Sequence, residues 1–407
     1  MLSVTDPGTI IRIAAKGDGV TADGRHVPLS APGDRLREDG GLELGPHHVA
    51  PPCRHFPLCG GCQLQHMDAE SFTRFVSDRV AGALVGQGIT TDVLLPAHIS
   101  PPHSRRRASL RAARLGKNLH LGFSSENSHR IVDMQMCAIL HPALFALVAP
   151  LRQLLGPLVG DRRAAQVRMT LTDQGVDLLL ENAGTDDAKD GLAMAENLSA
   201  FAQTHRLARL SIDDGYGAQT RYEPEPVTVS FGGVAVGAPP FAFLQATEDG
   251  EAALVGAVRG ALGDARTIAD LFSGLGTFAL SLGEGRAVYA AEAARDMVLA
   301  LKMAANRAQR KLVADHRDLF RRPLVPQELD RFDAILLDPP RAGAREQVVQ
   351  LAQSKVPVIA YVSCNPGSFA RDAKQLIESG YRLASVQPVG QFRWSTHIEL
   401  AAIFRRG

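Results

Sequence analysis

Three of the five cysteines in this 407-residue chain fall within ten residues, in the stretch CRHFPLCGGCQLQH at 53–66. Thiols gathered this closely in a chain with few others point to a metal or to catalysis rather than to disulfides. Cys364 stands elsewhere, in YVSCNPGSFARD, between an apolar strand pattern and the start of a helix pattern. A thiol near a helix N-terminus has its thiolate favoured by the dipole, as a nucleophile needs, although core packing is the commoner fate of a lone cysteine. Asp338, in LLDPPRAGA, also follows an apolar strand pattern. Pro339 and Pro340 behind it fix an extended loop and offer no N–H, so the carboxylate is free to turn toward a pocket.

A third strand end, ADLFSGLGTFAL, places Asp270, Gly274 and Gly276 between a strand and a helix, where glycines let the backbone approach a ligand closely. The next strand ends at Glu292, some twenty residues on, where an acid can accept hydrogen bonds from ribose hydroxyls. An adenosine-containing cofactor fits this pair. No lysine or basic cluster stands at the glycine turn to hold a pyrophosphate, which favours S-adenosylmethionine over a dinucleotide or ATP.

These residues need a scaffold. From Thr267 onward strand patterns (TIADLF, AVYAAE, FDAILLD, PVIAYVS) alternate with helix patterns such as ARDMVLALKMAANRAQ. That alternation predicts a parallel doubly wound sheet, which binds ligands outside the carboxyl ends of its strands. The middle third reads as α+β: QVRMTLTDQGVDLLL at 166–180 as a hairpin, LFALVAPLRQLLGPLV as helix, and AGTDDAKDG at 183–191 as a polar loop. Residues 68–85 read as a helix behind the capping residue Asp68, and the first fifty residues, broken by Asp-Gly and Pro-Gly, as a small antiparallel β module. Apolar residues make up 45% of the chain, enough for two or three cores, and 44 Lys and Arg nearly balance 43 Asp and Glu. Net charge therefore argues for no partner. Locally, RRRASLRAARLGK at 105–117 carries five arginines and a lysine without an acid, which suits either RNA phosphates or a solvated hairpin surface. The start of the sequence lacks a signal pattern and no apolar run approaches a membrane span, so a cytoplasmic protein is expected.

DLFSGLGTF, LDPPRAGA, YVSCNPGSFARD and the late STHIEL, in this order, resemble the bacterial RNA 5-methyluridine methyltransferases that use S-adenosylmethionine. CRHFPLCGGCQLQH is similar to the cluster-binding stretch of the ribosomal-RNA branch, HRIVDMQMCAIL supplies a further cysteine, Cys137, and FAFLQAT resembles the segment preceding the cofactor domain. The resemblance implies a nucleophile at Cys364, a general base at Glu399, and cofactor contacts at Gln245, Phe272, Thr277, Glu292, Asp318 and Asp338. Thr277 stands where some relatives have asparagine, and QFRWSTHIEL departs from the phenylalanine-proline-histidine-threonine wording common before the base. Cys53, Cys59, Cys62 and Cys137 are implied as metal ligands. Four thiolates fit tetrahedral zinc, with His55 or His66 as substitutes, or a [4Fe-4S] cluster, and three local cysteines with one distant suit the cluster better. The implied organisation is an OB-like, TRAM-like β module at 1–49, a central α+β domain with the iron–sulfur cluster and an RNA surface at 50–240, and a Rossmann-like methyltransferase domain at 241–407. The implied activity is methylation of uridine carbon 5 in 23S ribosomal RNA by a monomer without obligate protein partner. Transfer RNA is the alternative substrate; transfer-RNA members usually lack the cysteine stretch, so its presence favours ribosomal RNA. Amino-group methylation and an inert iron–sulfur RNA-binding protein are the other readings.

Overall fold

The computed structural model describes residues 6–116, 118–126, 128–160, 163–183 and 191–406. Lys117 of the basic run and residues 184–190 of the polar loop lie outside the described residues.

The alternation after Thr267 folds into an eight-stranded sheet. Strand Thr267–Leu271 pairs in parallel with Ala287–Glu292 on one side and with Ala334–Leu337 on the other. Leu312–His316 extends the first side, and Val358–Ser363 the second. The chain thus reverses its winding between Thr267–Leu271 and Ala334–Leu337, the point at which such sheets bind ligands. The sheet is mixed rather than purely parallel, because Glu399–Arg406 inserts antiparallel between Val358–Ser363 and Tyr381–Gly390. That insertion pairs Leu400 with Ser363 and so brings Glu399, first residue of its strand, alongside Cys364, the residue that follows Ser363.

Helix Ala69–Val85 begins behind Asp68, whose carboxylate accepts the Ser71 N–H, as the capping pattern predicts. Its buried Phe72, Phe75, Val76, Val80 and Leu84 recur at helical spacing and share a core with Leu376 of helix Pro366–Glu378 and with Tyr381 and Val386 of the catalytic sheet. Each such side chain contributes roughly 1.5–3 kcal/mol on burial. The two residues His98–Ile99 then add to the free edge of Tyr381–Gly390. Residues 68–99, read above with the central domain, are therefore built onto the catalytic sheet.

The central domain is a six-stranded sheet with helices Val148–Leu158 and Gly191–Thr204. The predicted hairpin is present as Ala164–Thr172 against Gly175–Glu181, and the basic run forms the strand Arg107–Leu115 beside it. The N-terminal module holds a three-stranded sheet and a two-stranded ladder joined by the Thr9–Arg35 bridge. Among the described residues no helix is long and apolar enough to cross a membrane.

Candidate active site and cysteine cavity

Cys364 and Glu399 open onto one solvent-filled cleft of ≈ 1860 Å³ between the catalytic and central sheets, with Gln245, Arg341 and Gln391 on its walls. Cys364 follows strand Val358–Ser363 and precedes Asn365, the capping residue of helix Pro366–Glu378, as the sequence pattern requires. The expected dipole effect does not prevail. Burial, then Glu399 and Asp338, push the Cys364 thiol up to about 11, against the opposing influence of Arg341. Arg341 is placed by the proline loop, since its carbonyl accepts hydrogen bonds from Asn365 Nδ2 and Ser368 Oγ, each at 3.0 Å, at the start of that helix.

Glu399 is 5% exposed, and burial, then Asp338, raise its carboxyl to about 8. The desolvation does not come from Ile398 and Leu400. Side chains alternate across a strand, and those two join the core on the opposite face of the sheet. The Gln391 side chain opposes the rise. The amide of Gln391 is itself fixed: its Oε1 accepts the Ala246 N–H at 2.8 Å and its Nε2 donates to Gln245 Oε1 at 2.8 Å. Gln245 Nε2 lies 3.5 Å from Asp338 Oδ2, completing a chain of side chains from Glu399 to Asp338.

The sequence-predicted cofactor residues gather at the strand ends. Asp338 has its N–H on Leu271 O at 3.2 Å, and burial, then Glu292, hold its carboxyl up at about 7. Glu292 accepts the Gly274 N–H at 3.0 Å and the Ala294 N–H at 2.8 Å. Each of its oxygens retains a lone pair for a hydroxyl. Gly274 has φ 54°, a left-handed geometry that glycine adopts without strain. Phe272, at φ 67°, leaves its strand and meets Phe320 with ring centroids 5.5 Å apart, and Asp318 accepts the Phe320 N–H at 3.0 Å. Thr277 opens helix Thr277–Leu282 behind Gly276, where a Cβ would come within 2.5 Å of Leu301. Asp270 is 1% exposed and pushed up to about 8 by burial, then by Asp338, and its one hydrogen bond accepts the Ala279 N–H at 2.8 Å, so it secures this helix rather than facing the cleft. Acids this concentrated suit a cationic ligand that also carries ribose hydroxyls, which is the chemistry of S-adenosylmethionine.

Cys53, Cys59, Cys62 and Cys137 line a second, apolar cavity of ≈ 390 Å³ together with His55, Phe56, Phe123 and Ile139. Burial raises the thiols of Cys59 and Cys137 and pushes Cys62 up to about 12. Cys137 lies in a loop, not in a strand. Among the described residues no three His, Cys, Asp or Glu side chains converge closely enough to hold a single metal ion. His55 Nε2 accepts the Gln135 N–H at 2.9 Å, and His66 is outside the cavity with its Nε2 on Ser30 O at 3.1 Å.

Of the arginine run, Arg105, Arg107 and Arg111 line the cleft, whereas Arg106 is buried against Glu251 and Arg114 bonds the Val159 carbonyl. Arg107 lies 5.0 Å over both Phe241 and Phe243, and Arg105 lies 5.5 Å from the Phe392 ring. Sequence reasoning gave no role to Arg341 or Gln391. Arg341 stands inside LDPPRAGA, a motif singled out for its aspartate, while nothing in QFRWSTHIEL marks Gln391 as facing Gln245.

Residues 254–406 match the family model for tRNA (Uracil-5-)-methyltransferase. A Zymomonas mobilis protein named as an RNA methyltransferase is 52% identical over 98% of this chain and 99% of its own length. A Shewanella piezotolerans 23S rRNA (uracil(1939)-C(5))-methyltransferase is 32% identical over 88% of this chain and 82% of that one. The crystal structure of Pyrococcus abyssi tRNA (uracil-54, C5)-methyltransferase with S-adenosyl-L-homocysteine has the same fold, with TM-score 0.75 at 22% identity over 98% of both chains. The chain is an S-adenosylmethionine-dependent RNA methyltransferase. Within that class it belongs to the RNA uracil-5-methyltransferase family.

Proposed function

We propose that this enzyme methylates carbon 5 of a uridine in 23S ribosomal RNA, with Cys364 as nucleophile and Glu399 as base. The observation that carries the reading is that Cys364 and Glu399 face one cleft and each feels the charge of Asp338. Carbon 5 of uracil is a poor nucleophile. Addition of the Cys364 thiolate to carbon 6 pushes electron density onto carbon 5 as an enolate. Bound S-adenosylmethionine supplies the methyl group as an electrophile on a sulfonium. Glu399 then takes the carbon-5 proton, and the electron pair released re-forms the double bond as sulfur leaves carbon 6. Gln245, Phe272, Thr277, Glu292, Asp318 and Asp338 hold the cofactor in this reading. The uridine must leave its stack to reach both groups, and Arg105, Arg107 and Arg111 with the exposed Phe243 suit phosphates and splayed bases.

The cysteine cavity takes a [4Fe-4S] cluster in this reading. Four thiols lining one apolar space, three of them local in sequence and one distant, support a cluster over zinc in this reading. Methyl transfer moves no net electrons, so the cluster's role is to tie the cysteine loop to the loop of Cys137. The five short strands of residues 6–49 serve as a reduced OB-like module, and residues 241–407 with 68–99 as the catalytic unit.

The test incubates the purified protein with labelled S-adenosylmethionine and unmodified ribosomal RNA, followed by nucleoside analysis and position mapping, with Cys364→Ala alongside. The expected result is label in 5-methyluridine of 23S RNA, reduced by roughly 10⁴-fold or more in the variant. Label in another nucleoside, or label surviving in the variant, overturns the assignment. Label on transfer RNA alone moves the substrate and leaves the chemistry intact.

A further inference from the structure

We propose that Trp394 is a positioning residue that fastens the segment presenting Glu399 to the cysteine cavity, so that proton removal from carbon 5 depends on that cavity being intact. The inference rests on Glu399 being the base. Residues 391–398 connect the antiparallel strands Tyr381–Gly390 and Glu399–Arg406, and a connection of that length needs anchoring if the residue at its end is to be aimed. Trp394 stands in the middle of it and is the anchor. Its ring is buried in one apolar cluster with Cys53, Cys62, Ala138 and Ile139. Its carbonyl accepts two N–H groups of the cysteine loop, from Gln63 at 2.8 Å and from Leu64 at 2.9 Å.

The backbone of Trp394 has φ 59°, in the left-handed region that a bulky residue enters only at a cost. Such a conformation persists where the surroundings over-determine it, and these contacts do so. Arg393 adds a second hold, since its guanidinium lies 4.7 Å from the Trp394 ring and its Nη1 donates to Ser100 O at 3.0 Å. On one side of this anchor Gln391 hydrogen-bonds Gln245, and on the other Glu399 begins its strand. A cavity whose occupant moves no electrons in the reaction therefore sets the direction of the base. This also gives a physical reason for a buried tryptophan in a segment that departs from the wording of related enzymes.

The step affected is the last. The carbon-5 proton passes to Glu399, its bonding pair re-forms the carbon 5–carbon 6 double bond, and the carbon 6–sulfur bond breaks with its pair returning to Cys364. If the base is mis-aimed, addition and methyl transfer proceed while release stalls. Trp394→Ala is therefore expected to accumulate methylated RNA covalently attached to the protein, seen on a denaturing gel. Release of 5-methyluridine RNA slows by about 100-fold, the scale of a misplacement near 1 Å. Trp394→Phe restores release, and Cys62→Ser reproduces the stalled adduct together with loss of bound iron and of visible absorbance. Release from Trp394→Ala at the wild-type rate overturns the proposal, as does loss of adduct formation in a variant whose circular dichroism is native. If Trp394→Ala melts below the assay temperature, Trp394→Leu takes its place, and unchanged release in it counts against the proposal equally. RNA carrying 5-fluorouridine separates the two levels of inference. Its carbon 5 bears no proton to remove, so the wild-type enzyme must trap it; failure to trap rejects the covalent reading itself, whereas trapping combined with normal release by Trp394→Ala rejects only the role of Trp394.

Discussion

Two sites in this molecule bury thiols, and burial raises the thiol in both, yet what stands around each is different. Cys364 faces the acids Glu399 and Asp338 and one arginine, Arg341. Cys62 has Gln65 as its hydrogen-bond partner and faces the thiols of Cys137, Cys59 and Cys53. In the cleft, the groups that oppose ionisation are carboxylates, which a cationic ligand beside Asp338 offsets. With the cofactor held at Asp338, as proposed, cleft ionisation would be coupled to its binding. In the cavity, the groups that oppose ionisation of Cys59 and Cys62, beyond burial, are the neighbouring thiols themselves. A helix N-terminus next to Cys364 does not settle the matter, because acids and desolvation outweigh it.

The comparison breaks first if Glu399 is not the base. Glu399→Gln keeps the shape and the Gln391 contact but cannot take the carbon-5 proton. Turnover is expected to fall by roughly 10²–10⁴-fold while a methylated covalent adduct builds up. Free product without adduct would place the proton acceptor elsewhere. The cavity side is sharpened by Cys62→Ser, for which iron analysis and thermal unfolding are the measurements. Loss of a structural metal group is among the few single changes that cost more than about 4 kcal/mol, so a large fall in melting temperature with loss of iron is expected. A variant that melts like the wild type would reduce the cavity to ordinary packing.

Arg341 sharpens the cleft side. It lowers both Cys364 and Glu399, so Arg341→Met raises both. Activity needs both groups deprotonated, and the limb of kcat/KM that rises with pH in the free enzyme therefore moves to higher pH. At pH 7 the loss is expected to be roughly threefold to tenfold, recovered on the alkaline side. A loss independent of pH would mean that Arg341 binds RNA instead.

How much of this was legible beforehand follows from what each signal depends on. The parallel strands and the helix Ala69–Val85 announce themselves because hydrophobic period and capping are local, as Asp68 and its Ser71 partner illustrate. Cys364, Asp338 and Glu292 can be singled out as candidates because strand ends are where such sheets place chemistry. Gln391 cannot, since its role comes from Gln245 and Ala246, residues 145 and more positions away along the chain. The burial of Glu399 is not legible in its apolar neighbours Ile398 and Leu400, because the alternation of a strand sends them to the other face. Packing of residues 68–99 on the catalytic sheet depends on the edge of Tyr381–Gly390 being available, which only the assembled topology reveals.

The smallest effect lies on the surface joining the two sites. Strand Arg107–Leu115 buries Ala108, Leu110 and Ala112, which leaves Arg107 and Arg111 on the face that turns toward the cleft. Arg107 is committed to Leu244 O at 2.8 Å and to the Phe241 and Phe243 rings, so replacing it disturbs the segment holding Gln245 as well as RNA. Arg111 is half-buried and, among the described residues, its hydrogen bonds are long contacts of 3.4 Å to His129, so it is the cleaner probe. If it meets a phosphate, Arg111→Ala weakens binding of all RNA sequences alike and reduces the slope of log affinity against log salt by about 1. Binding isotherms at several salt concentrations measure this without reference to catalysis. A change in sequence preference instead would mean that Arg111 reads a base edge, and an unchanged slope would put the RNA path along Arg105 and the cysteine loop, closer to the cavity than to the central sheet.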